Sequence, residues 1–123
     1  KLVDVHPDGH THNVLNRIIR ASLRRGSKLP PSLIQPGAEY EYTLELGVTA
    51  TMFRKAHLIR VEVSSSDFPH FARNLNTGQS NNKTAETAIA HQTILHDPSH
   101  PSYIELPIAP DVQVPAQVVA AGQ

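Results

Sequence analysis

No cysteine occurs among the 123 residues. Disulfides, thiolate metal ligands and a thiol nucleophile are therefore excluded, and the redox compartment is left open. Charge of one sign is also missing in excess. Eleven basic residues balance eleven acidic ones, which removes the electrostatic case for nucleic acid or an anionic membrane surface as a partner. Apolar runs are only a few residues long, and the opening KLVDVHPDG has no signal-peptide pattern. The chain is expected to be soluble and not membrane-borne, with a leaning towards the cytoplasm. A serine elbow of the form G-x-S-x-G is absent too. The nearest approach, Gly78-Gln79-Ser80-Asn81-Asn82, ends in asparagine within a polar stretch with no helix to follow, so no oxyanion hole is expected there.

Proline and glycine, in contrast, are plentiful. Ten prolines and six glycines lie scattered along the chain, cutting it into the short segments of an all-β domain. Residues 1–6 read as a strand, and Pro7-Asp8-Gly9 as a reverse turn. Residues 14–24 fit a strand better than a helix. Residues 26–37, with Pro30, Pro31 and Pro36, form a loop or an extended edge segment.

The clearest period lies at residues 39–48, where Tyr40, Tyr42, Leu44, Leu46 and Val48 alternate with Glu39, Glu41, Thr43, Glu45 and Gly47. One face of that strand is expected to be buried and the other wet. Residues 57–65 repeat the pattern with Ile59, Val61 and Val63, and the two segments are expected to be neighbours. Residues 87–95 and 102–108 complete the strand count, separated by the turn cluster His96-Asp97-Pro98-Ser99-His100-Pro101. The expected fold is a single antiparallel β-sandwich domain over residues 1–123, with a core at 1–109 and a C-terminal tail at 110–123.

Residues 66–83 form a long polar loop. Short side chains such as Asp67, Asn74 and Asn76 can cap their own backbone there, while Phe68 and Phe71 supply apolar anchors. The plain reading is a self-packed loop closing one end of the sandwich. The functional one makes Asp67, Phe68, Phe71, Asn74 and Asn76 an interface or pocket lining.

Eight histidines raise the question of a metal. His10 and His12 would share one strand face, with His6 close by across the turn, yet no carboxylate is spaced to complete a set. His91, His96, Asp97 and His100 form a weaker group, since His91 and His96 fall on opposite strand faces. No metal, no cofactor and no catalytic residue is assigned to the chain. Tyr40 and Tyr42 could stack on sugar rings, although alternating aromatics beside leucines are more often core.

The stretch IRVEVSSSDFPHFARNLNTG at residues 59–78 resembles the C-terminal domain of CocE/NonD hydrolases, the group of Xaa-Pro dipeptidyl-peptidases and cocaine-esterase-like acyl hydrolases. LVDVHPDG at 2–9, IIRA at 18–21, PGAEYEYTLEL at 36–46 and HQTILHDPSHPSYIELPIAP at 91–110 agree in order and spacing. The resemblance implies a jelly-roll sandwich of galactose-binding-like type that packs in cis on an α/β-hydrolase domain holding the Ser-Asp-His triad. None of the triad positions falls in this chain. It implies a non-catalytic part that contributes stability and substrate-pocket shape; a free-standing carbohydrate-binding, lectin-like module is the alternative the architecture allows.

In two places the chain departs from the family. Lys55-Ala56-His57-Leu58 stands where the family tends to have Lys-Gly-His-Arg, and Asn16-Arg17 where it has Asp-Gly. The glycine-to-alanine change puts a positive φ at that turn in question. The family's first strands would precede residue 1, so the sandwich is expected to be incomplete at its N-terminal side, with an exposed sheet edge open to a partner chain or a second copy.

Overall fold

The computed structural model describes residues 1–109. The described chain is all-β, built on a three-stranded antiparallel sheet in the order β2-β1-β3. Strand β1 is Leu2–Val5, β2 is Thr11–Leu15 and β3 is Leu58–Val61. The Lys1–Gln92 segment forms one compact unit and the segment from Thr93 onward a second. No helix among the described residues is long and apolar enough to cross a membrane.

Local chemistry explains the first hairpin. Pro7 fixes φ after β1, the Gly9 amide donates to the His6 carbonyl at 3.0 Å, and Gly9 takes the positive φ of 90° that closes the turn. The Asp8 carboxylate then accepts the His10 amide at 3.0 Å, and the His6 amide donates to the His10 carbonyl at 2.8 Å. β1 and β2 leave this turn in register, Val5 opposite Thr11, Asp4 opposite His12 and Val3 opposite Asn13. The register shifts between Leu2 and Val3.

On its other side β1 pairs with β3, placing Val5 opposite Leu58, Asp4 opposite Ile59, Val3 opposite Arg60 and Leu2 opposite Val61. Opposed residues point to the same face of a sheet. Leu2 and Asp4 therefore share one face with His12, Ile59 and Val61, while Val3 and Val5 share the other with Leu58. As the central strand, β1 forms the buried core: Leu2, Val3 and Val5 are buried, and so is Asp4, at 7% exposure.

Several expected strands are absent. β2 stops at Leu15, and residues 14–24 end not in a strand but in a 3-10 turn at Ala21–Leu23. The Arg24 guanidinium stabilises that turn, donating to the carbonyls of Ala21 at 3.1 Å and Ser32 at 2.7 Å and lying 4.1 Å from the centre of the Tyr40 ring. Residues 39–48, 87–95 and 102–108 carry no hydrogen-bonded ladder. Alternation specifies which side chains prefer cover, but a strand also needs a partner that takes its backbone groups in a continuous ladder, and among the described residues these segments have none.

Within 39–48 the expected apolar row is only partly covered. Tyr40 and Leu46 are half-buried, whereas Tyr42, Leu44 and Val48 are exposed. β3 forms where expected but pairs with β1 rather than with residues 39–48, and its Ile59, Val61 and the following Val63 are exposed rather than buried. The expectation for the tail at 110–123 lies outside the described residues.

Candidate functional site

Among the described residues, Asp4, His6 and His57 gather on the sheet as a cluster of possible metal ligands. Asp4 is held by ladders on both sides of β1. His6 follows two residues later on the same face, at the start of the hairpin turn. His57 arrives from the far side: the turn through Lys55 and Ala56, closed by the His57 amide donating to the Arg54 carbonyl at 3.1 Å, delivers it just before β3. Ala56 has a φ of 68°, so the turn keeps its left-handed residue even though alanine replaces the glycine expected there.

His57 Nδ1 lies 2.9 Å and 3.0 Å from the two Asp4 carboxylate oxygens, and both side chains are largely covered. His6 Nε2 is 3.9 Å from Asp4 Oδ2. The two imidazole rings stand 4.4 Å apart between centres, tilted by 38°. Ligand atoms of all three residues fall within 4.8 Å of one another, the spacing of a site able to hold a metal ion.

Sequence reasoning missed this cluster because it weighed His6 with His10 and His12. In the structure His10 pairs instead with Asp8, Nδ1 to Oδ2 at 3.0 Å, in the turn just before β2. Two signals were available in the chain. An acidic residue interrupts the apolar run Leu2–Val5, and a histidine stands immediately before β3.

The residues singled out in the long loop are dispersed. The Asp67 carboxylate accepts the Asn16 side-chain amide at 2.7 Å and pairs with Lys1 Nζ at 3.1 Å, linking the loop to the segment after β2. These two contacts hold its carboxyl below the usual carboxylate range, the Asn16 hydrogen bond contributing most. Phe68 and Phe71 are exposed, Phe68 at 67%.

Asn74 and Asn76 line an open polar groove with Ser65, Ser66, Arg73 and Gln92. Asn74 Oδ1 accepts the Asn76 amide at 3.2 Å, and Asn76, at a φ of 58°, donates its side-chain amide to the Ala88 carbonyl at 3.0 Å. The loop is thus stapled to residue 88 and capped by its own short side chains.

Ser80 donates its hydroxyl to Asn82 Oδ1 at 2.6 Å, so it is tied to a neighbouring amide rather than to a base. In the second unit His100 Nδ1 lies 2.9 Å from Asp97 Oδ2. That contact, with the Ser99 amide, holds the Asp97 carboxyl below the usual range.

A small antiparallel sheet and a loop capped by its own side chains frame these groups. The chain belongs to the family of the X-Pro dipeptidyl-peptidase C-terminal non-catalytic domain, whose model matches residues 1–105. It is a C-terminal domain of the CocE/NonD type. It is 40% identical over 110 residues to a cocaine esterase of Rhodococcus sp. (strain MB1 Bresler), an alignment that covers 88% of this chain and 19% of that protein. The chain therefore spans about a fifth of the length of this curated relative. No solved structure gives a significant match.

Proposed function

We propose that this chain is the accessory part of an α/β-hydrolase of the Xaa-Pro dipeptidyl-peptidase and cocaine-esterase type, adding stability and shaping the substrate pocket without supplying nucleophile, base or oxyanion donors. The match to a family described as non-catalytic, over residues 1–105, carries this reading. Its partner is a catalytic domain in the same polypeptide. The exposed side chains of Ile59, Val61, Val63 and Phe68 support such a contact, because apolar surface gathered along one strand and the loop after it is favourable only when another surface covers it. Asp67, Phe68, Phe71, Asn74 and Asn76 belong to the loop that would contact the catalytic domain and wall its pocket, excluding water from the acyl intermediate.

A chimera tests the proposal. The matched region of the Rhodococcus esterase is replaced by this chain, and ester hydrolysis and thermal unfolding are compared with a version lacking the region. The chimera is expected to unfold at a higher temperature and to keep turnover, with Phe68→Ser and Phe71→Ser lowering the unfolding temperature or raising KM. Equal stability and equal kinetics with and without the domain would overturn the reading. So would ester turnover by this chain alone that a single substitution in it abolishes.

A further inference from the structure

We propose that Asp4, His6 and His57 form a binding site for one divalent transition-metal ion, zinc being the best fit, and that the ion ties the β1 turn to the start of β3. The donor set is the first ground. Two imidazoles and one carboxylate suit zinc and its neighbours in the first transition row, whereas calcium and magnesium prefer all-oxygen sites.

Spacing is the second ground. Zinc holds nitrogen and oxygen donors tetrahedrally at about 2.0–2.2 Å, so two donors on one ion lie about 3.3–3.6 Å apart. The separations here, 2.9 Å and 3.0 Å from His57 Nδ1 to Asp4 and 3.9 Å from His6 Nε2 to Asp4, lie within half an ångström or so on either side of that spacing, so small side-chain rotations bring the three donors onto one ion.

Charge and rigidity supply the rest. Asp4 is a carboxylate on the central strand, and among the described residues the groups that pair with it are the two imidazoles, with no lysine or arginine. A covered carboxylate calls for a compensating positive charge. The two imidazole rings stand 4.4 Å apart between centres, close enough for one ion to meet a ring nitrogen of each.

All three ligands sit on fixed backbone: Asp4 between two ladders, His6 at the hydrogen-bonded hairpin turn and His57 at the closed turn before β3. His6, the outermost at 42% side-chain exposure, leaves a path for the ion from solvent.

Calorimetric titration of zinc chloride into the full, untagged, metal-stripped chain at neutral pH tests the site, with His6→Gln as the main variant because its half-exposed side chain can be changed without opening the core. One equivalent of zinc is expected to bind, with proton release and a raised unfolding temperature. His6→Gln should lower the affinity by at least about tenfold, as loss of a ligand or of its support does in zinc sites. His10→Gln and His12→Gln should leave it unchanged. Cobalt substitution is expected to give a visible d–d absorption band that His6→Gln shifts or removes. Absence of stoichiometric zinc uptake overturns the proposal, as does undiminished affinity in His6→Gln or loss of binding in the His10 or His12 variant alone.

Discussion

His57 Nδ1 stands 2.9 Å from one carboxylate oxygen of Asp4 and 3.0 Å from the other, across 53 positions of sequence. Removing His57 leaves a covered carboxylate without its nearest partner. His57→Ala is therefore expected to destabilise the chain by about 2–3 kcal/mol, the range for leaving a covered acceptor without its hydrogen bond. Asp4→Asn with His57→Gln together should cost less than the two single changes added, because the pair's coupling is lost only once. Urea unfolding midpoints of the four proteins measure this.

Ala56 holds a left-handed backbone conformation that a Cβ disfavours by about 1 kcal/mol. Ala56→Gly is expected to raise stability by up to that amount, reduced in part by the greater freedom of glycine in the unfolded chain. A higher midpoint with an unchanged slope in urea is the expected result. A lower midpoint would show that the turn does not need its positive φ.

Gly78, at a φ of 76°, presents the opposite case. A Cβ added there would lie 3.1 Å from Leu33 Cδ1, which is the mobile end of an exposed side chain and can move aside. The backbone cost remains. Gly78→Ala is expected to destabilise by about 1–2 kcal/mol, and Leu33→Ala should not rescue it.

Asp67 links pH to stability through its contacts with Asn16 and Lys1. Its folded pKa lies below the unfolded value, so its contribution is fully present above the unfolded pKa and is lost as pH falls through the lowered one. The gap in unfolding temperature between the natural chain and Asp67→Ala is expected to be constant at neutral pH and to close below the ordinary carboxylate range. A gap that persists in strong acid would show that Asp67 acts by packing alone.

What was legible in the sequence follows from local chemistry. Pro7-Asp8-Gly9 closes the first hairpin because fixed φ, a side-chain acceptor and a positive φ come in the order that a turn requires. The capped loop was legible on the same grounds, since Asn74 and Thr77 bond to backbone amides two residues away. Residues 39–48 were misread because alternation records a preference for two-sided surroundings and not the presence of a neighbouring strand. Tyr40 instead lies against Arg24 and accepts the Gln35 amide at 3.0 Å.

By itself the sequence determined the fold class, the family and the lack of a serine elbow, since each depends on residue types and their order along the chain. Tertiary structure decided that β3 pairs with β1, and through that pairing that His57 meets Asp4 and His6. Partners 53 residues apart leave no periodic trace in a chain, because which strand joins which is settled by the burial and hydrogen bonding of the whole sheet rather than by any local preference.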